Sequence, residues 1–168
     1  NSIQYHTGPN RNNITEKFTY KVDNTGWNHA ALVKKDNRIT LYYNGLPTTI
    51  TNLDLGVNSD GTIRDSGYVR LYIGEGFKGY LDEVRIWDKA LDLSTIRAWM
   101  CRTIQPSHPD QQKHLVTHFD FNKGEGQYVE NNRGAGKLRL IGGIQWAWSG
   151  APLGDTSTYT YTDNVLTL

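Results

Sequence analysis

Two adjacent acids, Asp82 and Glu83, are the side chains that most invite a catalytic reading of this sequence. Hydrolysis of a glycosidic bond needs two carboxyl groups that flank one sugar. The run Tyr80–Trp87 alternates as a β-strand, and neighbours on a strand point to opposite faces, so the pair cannot serve one bond. No third acid follows on either face. His114 and His118 have the spacing of a helical zinc pair. The alternation of Leu115, Thr117, Phe119 and Phe121 predicts a strand over His114–Phe121, which would hold the two imidazoles about 13 Å apart. His118 and Asp120, about 7 Å apart on one face, could meet a common ligand, although a solvated polar face opposite the phenylalanines is the stronger reading. His29 falls on the same face as Trp27 and Ala31 and reads as structural, bonded to a neighbouring strand or loop. There is no Gly-x-Ser-x-Gly elbow, phosphate loop, dinucleotide fingerprint or cysteine cluster. Cys101 stands alone, so no intrachain disulfide can form.

These residues must be positioned by strands. Gly26–Gly45 reads as two strands around a short polar turn, ending in Asn44-Gly45, the pair best suited to a type I′ reversal. Ile39, Leu41 and Tyr43 share one face of the second strand, and Thr48–Thr51 continues as a short strand. Before the hairpin, residues 1–14 read as loop and Thr15–Val22 as a strand with Phe18, Tyr20 and Val22 on one side. Asn52–Gly67 is polar and reads as a long loop, of a length that usually carries function. Tyr68–Ile73 and Tyr80–Trp87 are strands; the latter aims Asp82, Val84 and Ile86 to one side and Leu81, Glu83, Arg85 and Trp87 to the other. The period then changes to that of a helix through Leu93, Ile96 and Met100, with Asp92 as N-cap. Thr95 stands where a capping box would have Glu, so the reciprocal bond is lost. Lys123–Gly136 reads as turn, and Lys137–Ile141 and Ile144–Trp148 as closing strands.

Two segments carry a family resemblance. Gly26-Trp27-Asn28-His29-Ala30-Ala31, with Leu41-Tyr42-Tyr43-Asn44-Gly45, is similar to the Trp-x-His-x-Ala … Leu-Tyr-x-Asn-Gly hairpin of laminin-G-like and pentraxin-like domains. Gly79-Tyr80-Leu81-Asp82-Glu83-Val84-Arg85-Ile86-Trp87, leading to Ala90-Leu91, resembles the Gly-x-Ile-Asp-Glu-Val-Arg-Ile-Tyr strand of the same family. The resemblance implies an all-β, two-sheet antiparallel jelly-roll sandwich of concanavalin-A-like type, with one short helix near 92–102. It also makes Asp82 the candidate ligand of a structural Ca²⁺, since related sandwiches bind calcium at that strand position. Without the resemblance, Asp82 is a strand-end carboxylate bonded to local amides. Asn58–Asp65 resembles the middle of an EF-type loop, but Gly56 stands in place of its first acid and the terminal Glu is missing. The pentraxin double-calcium loop is reduced here to Gly74–Lys78 with one acid. Asp60, Asp65 and Glu75 flank one rim of the implied sandwich and are the candidate ligand-binding residues. Trp87, Trp99, Trp146 and Trp148 could stack on sugars by type, but most are expected in the core.

The 168 residues suffice for one full core, here residues 1–150, with 151–168 as a linker or the start of a following module. In a rival reading, Leu115–Gly126 resembles the opening strand of a fresh laminin-G-like unit, whereas the favoured one has it close the same sandwich. Family members usually have more strands ahead of the Trp-His hairpin than 26 residues can supply, so N-terminal strands are expected to be missing or to come from a partner chain. Eighteen basic and 17 acidic side chains leave a net charge of +1 with no basic stripe, which argues against nucleic acid. No apolar run is long enough to insert in a membrane, and any secretion signal is expected to lie outside this sequence. The lack of disulfides points to a bacterial protein, and Asn13-Ile14-Thr15 is a chance-level glycosylation triplet. The implied function is a non-catalytic recognition or adhesion module of a secreted or cell-surface protein, stabilised by calcium, with a glycan or a surface protein as partner. Two alternatives are a structural or targeting appendage of a larger secreted hydrolase or protease, and a self-assembly element completed by a partner chain.

Overall fold

The computed structural model describes residues 2–7, 16–21, 26–36, 38–51, 73–74, 77–154, 160–162 and 165–167. The described strands are β1 (Ser2–Thr7), β2 (Glu16–Lys21), β3 (Ala30–Lys35), β4 (Arg38–Tyr43), β5 (Leu46–Thr51) and β6 (Val84–Trp87). Helices α1 (Leu93–Trp99) and α2 (Gln111–His114) follow, then β7 (Leu115–Phe119), β8 (Tyr128–Glu130), β9 (Lys137–Arg139), β10 (Thr160–Thr162) and β11 (Val165–Thr167). Every described pairing is antiparallel: β1 with β2, β3–β4–β5 as a meander, β6 with β7, β8 with β9 and β10 with β11.

The meander forms as its turn residues require. Asn44 and Gly45 sit at φ 48° and 71°, and Tyr43 faces Leu46 across the two-residue loop. Asn44 locks this end, its side-chain Oδ1 accepting from the His29 backbone amide at 2.8 Å while its backbone N–H donates to the His29 carbonyl at 2.8 Å. On β4 the expected inner face is buried at Ile39 and Leu41. Arg97 on α1 donates Nε to the Gly45 carbonyl at 3.0 Å, which ties the helix to the hairpin turn.

Asp92 caps α1 as its position predicts, accepting from the Thr95 amide at 2.7 Å and the Ser94 hydroxyl at 2.6 Å. These bonds hold its carboxyl at a pKa of about 2. The helix buries Ile96, and Met100 just beyond it; Leu115, Phe119 and Val129 are buried as well.

Several elements differ from the sequence reading. Residues 1–14 are not loop throughout, since Ser2–Thr7 pairs with β2. The strand read at Tyr80–Trp87 begins only at Val84, because Glu83 takes φ 51°, which interrupts the pleat. His114 ends a second short helix and does not open a strand. β7 stops at Phe119, with Phe121 at φ 53°. A three-residue strand lies within Lys123–Gly136, β9 ends at Arg139, and 144–150 is irregular. The Asn52–Gly67 loop and nearly all of Tyr68–Ile73 lie outside the described residues.

Candidate functional site

Glu83 just ahead of β6, Arg85 on β6 and His118 on β7 form a largely buried charge network. Glu83 Oε2 accepts from Arg85 Nη2 at 2.6 Å, from Arg85 Nε at 3.1 Å, and bonds His118 Nε2 at 2.9 Å. The three side chains are 10–12% exposed. The register that sets Arg85 opposite His118 across β6 and β7 makes this meeting possible. The Arg85 guanidinium also donates to the Trp99 carbonyl at 3.0 Å and to the Arg102 carbonyl, which satisfies acceptors at the end of α1. Burial alone would raise the Glu83 pKa, but the His118 hydrogen bond and the Arg85 bond and charge outweigh it, and the carboxyl stays below its ordinary range. A carboxylate so engaged is a weak base and a structural anchor. His118 is therefore not on a solvated face as the alternation suggested; it is 9% exposed, and its amide donates to Asn131 Oδ1 at 2.9 Å. Asp120 is bound separately, to the Asn122 amide at 3.1 Å.

Two more histidines lie near this network. Burial, then the Arg85 charge, lowers the His29 pKa to about 4. Its Nδ1 is buried with no hydrogen-bond partner among the described residues, so the expected side-chain bond is not formed at that atom. His108, 3% exposed, lies 4.7 Å from both the Trp87 and the Trp99 rings, stacked on the first and tilted to the second. Its Nδ1 accepts from the Asp110 amide at 3.1 Å, which leaves the proton of the neutral ring on Nε2. The stacking gives Trp87 and Trp99 an interior role. His114 pairs Nδ1 with Asp88 at 2.8 Å.

Residues 146–150 reach Gly126, Asp82, which precedes β6, and Trp27. Asp82 Oδ1 accepts from the Glu83 amide at 2.9 Å and Oδ2 from the Ser149 hydroxyl at 2.5 Å. At Gly150 the backbone runs against Trp27, whose Nε1 would lie 3.6 Å from an added Cβ. The Trp27 and Tyr80 rings are 6.3 Å apart, and Tyr80 is 68% exposed. Trp146 is half-buried, donating Nε1 to the Gly126 carbonyl at 2.8 Å. Trp148 is 100% exposed. It does not share a strand face with Trp146, because no strand forms there, and it is not core.

Calcium takes six to eight oxygen ligands. Among the described residues Asp82 has both oxygens hydrogen-bonded within the protein, and no three His, Cys, Asp or Glu side chains group to hold a metal. The rim candidates Asp60, Asp65 and Glu75 lie outside the described residues. Tyr80 and Ser149 were not singled out in the sequence; the nearest signal was the position of Tyr80 two residues before Asp82 in the conspicuous Gly79–Trp87 segment.

Comparison with known proteins agrees with the hairpin and the β6 segment. A laminin-G-type family model, described as the concanavalin A-like lectin/glucanases superfamily, matches residues 2–97. The match ends within α1, so α2, β7 and the Trp148 segment lie beyond it. No curated protein and no solved structure matches the chain. With more than half of its length matched, and antiparallel strands predominating in the fold, the chain belongs to the laminin-G-like family of the concanavalin A-like lectin and glucanase superfamily.

Proposed function

We propose that this chain is a non-catalytic recognition or adhesion module of a secreted or cell-surface protein, built as a two-sheet jelly roll and binding a glycan or another protein. One observation carries the reading: the acid, base and guanidinium that could act together, Glu83, His118 and Arg85, are consumed in buried pairs, while large aromatics stand at the surface. Family membership supports binding as the general role, but its description spans lectins and glucanases, and fold alone does not choose between them. The site argues for binding. No helix among the described residues is long and apolar enough to cross a membrane.

The test is binding without turnover. The purified chain is applied to glycan and surface-protein arrays, and the bound glycans are assayed for released reducing ends. Retention with no release is the expected result; release that survives purification and is lost in Glu83→Gln would overturn it. Calcium enters the same proposal at Asp82, where an ion would have to take Oδ2 from Ser149. A melting temperature that rises with Ca²⁺ over EDTA, and no longer rises in Asp82→Asn, supports that ligand; an unchanged one removes it.

A further inference from the structure

We propose that Trp148, Tyr80 and the Asp82–Ser149 pair form a strip that binds uncharged polysaccharide by stacking aromatic rings on pyranose faces; the inference rests on the recognition reading above. Trp148 is the strongest observation. Its ring is wholly in water, although the chain on either side is fastened. Trp146 is held to the Gly126 carbonyl two residues before it, and the Ser149 hydroxyl is held to Asp82 one residue after. The Ala151 amide donates back to Ser149 Oγ at 3.2 Å, which stiffens the same turn. A large apolar ring left in solvent on a braced backbone has already met part of the ordering cost of binding. Tyr80 adds a second exposed ring at the segment that Ser149 reaches, and Trp27 stands behind it at 6.3 Å.

The polar pair that joins the two segments selects the ligand. A pyranose offers an apolar C–H face to an aromatic ring and a belt of hydroxyls at its edge. Asp82, two residues from Tyr80, and Ser149, next in sequence to Trp148, supply acceptors and a donor, and the ligand's hydroxyls can replace or extend their mutual bond. A carboxylate fixed in the strip repels polyanions, so an uncharged chain is favoured over a sulfated or uronic one. Tyr80 and Asp82 lie inside the family-matched residues 2–97, and Trp148 and Ser149 lie beyond them, so the strip joins the two parts of the chain.

The full chain is run through native gels containing mixed-linkage β-glucan, mannan, galactan or xylan, with heparin as the polyanion, and compared with Trp148→Ala, Tyr80→Ala and Trp148→Phe. Because the Trp148 ring is fully exposed, its removal should leave the thermal melt in place. The expected result is retardation by at least one uncharged polysaccharide, weakened roughly tenfold or more in each alanine variant, as loss of a stacked ring's apolar contact implies, and largely kept in Trp148→Phe. Retardation equal in wild type and both alanine variants would place the glycan site elsewhere, overturning the strip but not the recognition reading. Retardation by heparin alone, by no gel at all, or a protein ligand lost in Trp148→Ala would each overturn the assignment to uncharged glycan. Should an alanine variant melt early, Trp148→Gln with an unchanged melt takes its place, and the same outcomes apply.

Discussion

Removing the Glu83 carboxylate should expose how much the buried network contributes to the fold. In Glu83→Ala the Arg85 guanidinium loses the two bonds at 2.6 and 3.1 Å and His118 loses the one at 2.9 Å. Breaking a buried ion pair from one side costs ~3–5 kcal/mol, because the remaining charge stays buried. Arg85 keeps the carbonyls of Trp99 and Arg102, so the low end, about 3 kcal/mol, applies here. For a chain of this size that is a fall in Tm of roughly 6–12 °C. Urea denaturation followed by tryptophan fluorescence measures it directly, since Trp87 and Trp99 lie beside the network. Two companion variants separate the causes. Adding Arg85→Met removes the orphaned charge and should recover at least ~1 kcal/mol, a coupling that a double-mutant cycle reports. Glu83→Gly should be no worse than Glu83→Ala, and better by up to ~1 kcal/mol, since φ 51° strains any residue with a Cβ. The pH dependence follows from the lowered Glu83 pKa: the contribution is whole above its ordinary value of 4.5 and is lost as pH falls through the lower folded value. A cost under ~1 kcal/mol for Glu83→Ala at pH 7, or strictly additive single changes, would refute the reasoning.

Other perturbations follow from the same structure. Gly45→Ala forces a Cβ into φ 71° at the buried hairpin turn and should cost about 1–2 kcal/mol in a urea melt. His29, with its pKa lowered to about 4, takes up its proton in the unfolded chain first, so stability should fall as pH drops from 6.5 toward 4. His29→Gln should flatten that slope in melts taken across the interval. A chain ending at residue 110 lacks β7 and strips β6 of its partner, Leu115 and Phe119 of their core places, and Glu83 of His118. It should melt without cooperativity, as calorimetry would show; a sharp transition would mean that residues 1–110 fold alone.

Features within a few residues of each other were legible without a structure. Asn44-Gly45 demanded two positive φ values, Asp92 stood one residue ahead of a helical period, and Ile39 and Leu41 fell on one strand face; all three are found as read. The two family segments were likewise visible, because turn and strand chemistry writes itself into residue types at short range. The misreadings arose where local pattern competed with distant partners. Alternation placed His118 in solvent, but Glu83, 35 residues away, pairs with it in the interior. The same alternation carried the Asp82 strand through Glu83, whose left-handed φ no composition rule announces. Most of Trp87, Trp99, Trp146 and Trp148 were expected in the core because large aromatics are usually buried, but Trp148 stands on the irregular stretch 144–150 with its ring in water. What the sequence by itself determined was the turns, the cap, the inner face of β4 and the family. What only the tertiary structure decided was which polar groups are buried and which aromatic is exposed. The bonds responsible, Glu83 to His118 and Asp82 to Ser149, span 35 and 67 residues, and no local propensity encodes contacts over that separation.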